Sequence, residues 1–85
     1  MNMNYEELEQ LFYANELETC IAEGEKSLAS SPDDLDVLFL MAVAHHDLAY
    51  REGHEEAYVA IQKQVIPYLR KILTIDPSNN KALYN

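Results

Sequence analysis

The stretch LDVLFLMAVAHHDLAYREG, residues 35–53, decides the fold. Residues 37–44 within it are apolar without interruption, so a helix here presents apolar side chains on all sides and needs neighbours on more than one of them. Asp34 precedes the stretch as a helix cap, and Gly53 follows it in the usual C-terminal position. The segment therefore predicts a central helix over residues 35–52, with other helices packed around it.

Further helices are predicted wherever apolar residues recur at helical spacing. Asn4 and Glu7 can form a capping box ahead of the first helix, and Asn15 and Glu18 can do the same ahead of the second. Pro67 interrupts an apolar stripe that stays in phase, which predicts one kinked helix rather than two helices. The predicted bounds of these helices are residues 5–14, 16–30, 54–75 and 79–85.

Small side chains mark one side of the second predicted helix, at Cys20, Gly24 and Ser27. Gly24 costs its helix about 1 kcal/mol relative to alanine, which indicates a packing reason for it. We therefore expect another helix to approach this side closely. Cys20 is the only cysteine and cannot close a disulfide within the chain, which fits a reducing compartment.

The formal net charge of −9 is unevenly distributed. Residues 1–50 carry eleven acidic side chains and one basic one, whereas residues 51–85 carry four acidic and five basic ones. The acidic part would repel nucleic acid and acidic membranes and attract basic surfaces, or it merely keeps a small protein in solution. Because the N-terminus has no cationic apolar signal and residues 37–44 are too few to span a bilayer, we expect a cytoplasmic protein.

Paired helices with a proline after each second helix resemble the tetratricopeptide repeat family. The spacing of the family's first helix is matched by Leu38, Met41, Ala42 and His45, and that of its second helix by Val65, Leu69, Ile72 and Pro77. In the preceding unit, residues 15–21 and 25–28 followed by Pro32 look like the second helix. Residues 79–85 look like the opening of a third unit.

This resemblance implies an all-α fold, a short right-handed solenoid of helical hairpins with about two repeats plus the start of a third. A single domain would cover residues 1–85, with hairpins over residues 4–31 and 34–76 and a partial repeat over 78–85. Pro32 and Pro77 are 45 residues apart rather than the family's about 34, an excess of about three helical turns. Whole turns keep the apolar stripes in register. We expect self-association through the C-terminal end, because so short a last helix is marginal alone.

The residues that could carry chemistry lack the required spacing. His45 and His46 point about 100° apart on a helix, and no histidine pair here has the i, i+4 spacing of helical zinc ligands. Cys20 lies where the family has a buried alanine, so we expect a small core residue and not a nucleophile. The chain has no phosphate loop and no nucleophile motif. We therefore expect no metal, no cofactor and no catalysis.

In this family the first helix of each hairpin lines a concave surface that holds a peptide or a partner helix. The resemblance assigns that lining to Tyr5, Glu9, Phe12, Tyr13, Asp36, Phe39, Val43, His46, Asp47, Tyr50 and Tyr84. Some members clamp a terminal carboxylate with Lys and Asn, but Tyr5 and Glu9 stand at the matching positions, so we expect that mode to be absent. The aromatic residues fit a groove and a core equally well, because patterning alone does not separate the two.

Two classes of function stay open at this point. The first is a non-enzymatic scaffold, one end of a longer repeat array, that binds a protein or peptide with an apolar core and basic flanks. The second is a free-standing acidic inhibitor of the immunity type, which neutralises a basic partner such as a nuclease or toxin. Strong weakening of binding by salt would favour the second class.

Overall fold

The structure, a computed structural model, describes residues 3–53, 59 and 61–78. Its helices are α1 (Tyr5–Tyr13), α2 (Leu17–Ser30), α3 (Leu35–Glu52) and α4 (Ile66–Ile75), and a π-helical turn (Ile61–Val65) leads directly into α4. No strand occurs among the described residues, so the all-α prediction is confirmed for them. The predicted last helix over residues 79–85 lies outside them, and with it the expected self-association surface.

The ends of α1 and α3 form as the sequence predicts. Asn4 Oδ1 accepts a hydrogen bond from the Glu7 backbone N at 2.9 Å, and the Asn4 backbone N donates to Glu7 Oε1 at 3.0 Å. Asp34 Oδ1 accepts from the Val37 backbone N at 3.2 Å and thereby caps α3. Gly53 ends α3 with a φ of 145°, a conformation that side chains disfavour. These caps satisfy N–H groups that have no partner within their helices.

The capping box predicted ahead of α2 is wrong. Asn15 adopts the left-handed conformation with a φ of 62°, and Glu16 takes the N-cap position without a side-chain hydrogen bond. Backbone contacts hold the turn instead, because Asn15 N donates to Phe12 O at 3.0 Å and Glu16 N donates to Leu11 O at 2.9 Å. Asparagine tolerates the left-handed region better than most residues, so Asn15 reverses the chain between α1 and α2.

The predicted helix continues across Pro67, but it does so through a wider turn. The π-helical turn Ile61–Val65 comes first, and α4 begins at Ile66, so Pro67 is the second residue of α4. A π turn bonds each N–H to the carbonyl five residues back, and the first turn of an α-helix is where a missing N–H costs least. Most of the predicted helix before residue 61 lies outside the described residues.

The central helix α3 has a core cluster on each of two sides. The first cluster lies between α1, α2 and α3 and consists of Leu8, Cys20, Ile21, Val37, Leu40, Met41 and Ala44. The second joins α3 to the π-helical turn and α4 and consists of Leu38, Ala42, Val65, Leu69 and Ile72. The prediction that this apolar helix needs neighbours on more than one side is therefore confirmed.

Helices α2 and α3 approach each other closely at Gly24. The Sδ atom of Met41 occupies the space in which a Cβ atom on Gly24 would stand. Met41 is fully buried, so its side chain has little room to move away. The packing reason predicted for this glycine is confirmed, because any larger residue would displace Met41.

We expect Gly24→Ala to destabilise the protein, although alanine improves helix propensity by about 1 kcal/mol. The added methyl group displaces Met41 in the wild-type background. In a Met41→Ala background the same methyl group enters vacated space, so there Gly24→Ala should be stabilising. Urea denaturation of both single variants and the double variant measures this coupling. The same effect of Gly24→Ala in both backgrounds would contradict the close approach.

Truncating either leucine of the second cluster should destabilise the whole domain. Leu38 and Leu69 are 1% and 4% exposed, so Leu38→Ala and Leu69→Ala should each cost about 2–5 kcal/mol of unfolding free energy. Ile75→Ala is the control, because Ile75 is 37% exposed and its truncation should cost far less. Chemical denaturation monitored by circular dichroism gives all three values. Unmoved midpoints for both leucine variants would show that the core lies elsewhere.

Candidate functional site

Helices α1 and α3 lie side by side and run in the same direction. Near their N-terminal ends the charge of Asp36 acts on Tyr5, and near their C-terminal ends Arg51 Nη1 donates to the Asn15 carbonyl at 3.5 Å. The two helices carry every predicted site residue except Tyr84, which lies outside the described residues. The α1–α3 face is the surface formed by Tyr5, Glu9, Phe12, Tyr13, Asp36, Phe39, Val43, His46, Asp47 and Tyr50.

The N-terminal end of the α1–α3 face is polar and acidic. The Tyr5 hydroxyl donates a hydrogen bond to Glu9 Oε2 at 3.1 Å. Partial burial raises the pKa of Tyr5 above its ordinary value, and the hydrogen bond and charge of Glu9 together with the charge of Asp36 raise it further. Tyr5 and Glu9 are half-buried and Asp36 is exposed. This end therefore exposes carboxylates, and the described residues that form it, Tyr5, Glu9 and Asp36, include no basic group.

The middle of the face is apolar and is shared with the core. Phe12 is half-buried against the first cluster, and Phe39 is half-buried against the second. Val43, one turn after Phe39, is also half-buried. Sequence patterning left groove and core open for the aromatic residues, and in the structure Phe12 and Phe39 each lie partly against a core cluster and partly in solvent. A substitution of Phe39 would therefore disturb packing, which makes it a poor probe of binding alone.

The C-terminal end of the face exposes the largest aromatic surface. Tyr13 is 76% exposed and Tyr50 is 50% exposed. The rings of His46 and Tyr50 lie 4.7 Å apart between centroids, and the Tyr13 ring meets Phe12 edge-on at 5.6 Å. His46 Nδ1 lies 3.5 Å from Asp47 Oδ1, and both side chains are about half exposed. Aromatic rings and a carboxylate are thus available to solvent at one place.

An open depression of about 540 Å³ lies beside these rings, between the α1–α2 turn and the last turns of α3. Its lining consists of Asn15, Leu17, His46, Asp47, Tyr50 and Arg51. Arg51 joins its two walls, because Nη2 forms an ion pair with Glu18 Oε1 at 2.7 Å while Nη1 donates to the Asn15 carbonyl. The hydrogen bond from Arg51 lowers the pKa of Glu18.

Sequence reasoning placed His46, Asp47 and Tyr50 together but did not include Asn15, Leu17 or Arg51. The left-handed turn at Asn15 carries a weak sequence signal, because asparagine favours such turns. Nothing local connects Arg51 with Glu18, since the two residues belong to different helices and meet only in the folded chain. The depression is therefore a tertiary feature that helical spacing does not reveal.

Among the residues that the structure describes, the negative charge of α1, α2 and α3 is largely uncompensated. Of the two basic residues on these helices, Lys26 pairs with Glu23 at 3.0 Å and Arg51 pairs with Glu18 at 2.7 Å. Exposed acids remain along all three helices and the turns that join them, at Glu6, Glu7, Glu16, Glu25, Asp33, Asp36 and Asp47. The positive charges of Lys63, Arg70 and Lys71 lie on the π-helical turn and α4 instead. A partner that meets α1 and α3 therefore meets a negative potential.

Two groups considered for chemistry lie away from this face. Cys20 is fully buried, its Sγ donates to the Leu8 carbonyl at 3.4 Å, and burial raises the pKa of its thiol. A buried thiol of raised pKa is a poor nucleophile, so the prediction of a small core residue is confirmed. His45 points toward α4 and stacks on Tyr68 at 5.6 Å between ring centroids. Its Nε2 atom is buried without a hydrogen-bond partner in the described part of the chain.

Within the described residues, no three side chains of His, Cys, Asp or Glu come together in a way that could hold a metal ion. No described helix combines the length and the apolar character needed to cross a membrane. In comparisons with family models, with curated proteins and with solved structures, nothing matches this chain.

The environment of His45 predicts a pH-dependent stability. Burial lowers the pKa of His45, and the charge of Glu25 opposes this only in part. The unfolded chain, with a histidine pKa of about 6.5, then binds the proton more readily than the folded one. Stability should be full above about pH 6.5 and should fall as the pH drops toward the lower pKa of the folded state.

His45→Phe should remove this loss, because phenylalanine keeps a ring against Tyr68 and does not titrate. Denaturant midpoints measured between about pH 7 and pH 5 make the comparison. His46→Gln, which removes an exposed histidine, is the matched control and should keep the dependence of the wild type. The same decline in wild type and in His45→Phe would contradict the assignment.

Proposed function

We propose that this chain is a non-enzymatic protein-interaction module that holds a segment of another protein on the α1–α3 face. The observation that carries the proposal is the exposure of Tyr13 and Tyr50, 76% and 50%, together with His46 at one end of that face. Aromatic side chains are enriched at the centres of protein interfaces, where they supply much contact area at low entropic cost. The exposure of several aromatic rings on two neighbouring helices of a chain this small favours a binding role.

The arrangement of the face suits an extended or helical segment. Helices α1 and α3 are in contact and run in the same direction, and half-buried Phe12 and Val43 lie on the α1–α3 face. The acids Glu9, Asp36 and Asp47 belong to the same face. A segment with an apolar middle and basic flanks would match both features. The resemblance to tetratricopeptide repeats supports the same face, since members of that family bind partners on their first helices.

The charge supports a protein partner over a nucleic acid. Phosphate groups would meet uncompensated carboxylates along α1, α2 and α3, because Lys26 and Arg51 are already paired. Nucleic-acid binding depends on basic side chains that neutralise phosphates. Lysine and arginine of a protein partner would instead gain from the same field.

A second candidate function rests only on the negative electrostatic potential of α1, α2 and α3. The excess of exposed acids would also suit an inhibitor that blocks a basic partner such as a nuclease or toxin. In that case the aromatic residues are incidental and binding is mainly coulombic. The two candidates differ in salt dependence, because coulombic attraction between exposed groups is screened while apolar contact persists.

Selection from a library of random peptides tests the first candidate without requiring the natural partner. Bound peptides should shift the backbone amide resonances of α1 and α3, above all near Tyr13 and Tyr50. Tyr13→Ala should weaken their binding by about tenfold, as expected for an aromatic anchor worth about 1.4 kcal/mol. Ile75→Ala on α4 is the control, because it also removes exposed apolar surface and should leave the affinity unchanged.

Circular dichroism must show that the Tyr13→Ala variant is folded, which its high exposure favours. Peptides that shift α2 or α4 and ignore Tyr13→Ala would contradict the proposed face. Affinities that collapse between low and high salt but survive Tyr13→Ala would instead favour the acidic inhibitor.

A further inference from the structure

We propose that the depression beside the α1–α2 turn receives one cationic side chain, an arginine or a lysine, from the bound protein segment. This inference rests on the proposed function and identifies the chemistry of the partner at one position. The depression opens at the C-terminal end of the α1–α3 face, next to the exposed rings of His46 and Tyr50. A segment that lies along the α1–α3 face would pass over this depression.

The lining offers the two features that a guanidinium or ammonium group requires. Asp47 supplies a carboxylate whose side chain is 49% exposed, so one side of it faces solvent. Tyr50 and His46 supply aromatic surface within the same depression. A carboxylate and a ring face together suit arginine well, because its planar group can form a bidentate ion pair and stack at the same time.

The arginine in the lining does not oppose this charge. Arg51 forms a 2.7 Å ion pair with Glu18 and also donates to the Asn15 carbonyl, so its guanidinium is held at the wall of the depression. Because the charge of Arg51 is compensated by Glu18, the carboxylate of Asp47 remains as the net charge of the lining. Arg51 therefore acts as a positioning residue that joins the α1–α2 turn to α3.

The surroundings favour the same sign of ligand charge. Exposed carboxylates on α1, α2 and α3 give the approach to the depression a negative potential, which raises the local concentration of cations. An anionic side chain would compete with Glu18 for Arg51 and would approach against that potential. Both the lining residues and the negative electrostatic potential around the depression therefore favour a cationic ligand.

A set of matched peptides tests this assignment by nuclear magnetic resonance on the full chain. Three acetylated and amidated peptides of the same apolar sequence carry arginine, citrulline or glutamate at the central position. Citrulline keeps the shape of arginine but has no charge. Titration with the arginine peptide should give saturable amide shifts at Asn15, His46, Asp47, Tyr50 and Arg51. The citrulline and glutamate peptides should bind at least about fivefold more weakly.

A pair of charge-matched variants separates a local site from general attraction. Asp47→Asn should lower the affinity for the arginine peptide by about fivefold or more. Asp33→Asn removes an equal charge at the far end of α3 and should leave the affinity nearly unchanged. Equal losses in both variants, equal binding of the citrulline peptide, or no saturable shift in the millimolar range would overturn the assignment. If the amide resonances at the depression shift when the protein alone is concentrated, the depression contacts a second copy of the chain. That result would also overturn the assignment.

Failure here is distinguishable from failure of the proposed function. Library-selected peptides that shift α1 and α3 and depend on Tyr13, but are indifferent to Asp47→Asn, would leave the proposed function standing and remove the cationic site. If no peptide of either kind binds this face, both proposals fail together.

Discussion

The rest of the structure depends on the need to cover α3 on two opposite sides. An unbroken run of apolar residues cannot lie at a surface, so α1 and α2 pack on one side and α4 packs on the other. Gly24 permits the close approach of α2 that places Met41 in the first cluster. On the other side Val65, Leu69 and Ile72 complete the second cluster. Helices α2 and α4 and the π-helical turn thus pack mainly on α3, whereas α1 packs mainly on α2.

The two core clusters leave a third side of α3 uncovered, and the candidate site includes that side. The α1–α3 face combines half-buried side chains, which the core holds in place, with exposed rings that the core does not need. A side chain that is partly held by the core and partly exposed suits binding, because it loses little conformational freedom when a partner covers it. For the proposed protein partner, the acidic surroundings would favour basic side chains, and the depression beside Tyr50 would provide a place for one of them.

The sequence predicted the parts that depend on local physics. The caps at Asn4 and Asp34 follow from neighbours within a few positions, and the small side chains around Gly24 indicated that another helix approaches there without indicating that Met41 is the contact. Features that depend on meetings between distant segments were not predicted, and the ion pair of Arg51 with Glu18 is the clearest example. Asn15 is an intermediate case, since asparagine favours both a cap and a left-handed turn, and in the structure it adopts the turn. Nor could patterning divide Phe39 between face and core.

The π-helical turn has a consequence for how the chain can change in length. An α-helical turn contains about 3.6 residues, and a π turn contains about one more. Ile61–Val65 therefore accommodates one extra residue, which in a regular α-helix would rotate all later side chains about the helix axis. Leu69 and Ile72 keep their places against α3 because the surplus is taken up before Pro67. A π-helical turn thus lets a helix accommodate a change of one residue, which is a smaller step than the whole turns that a strict helical register demands.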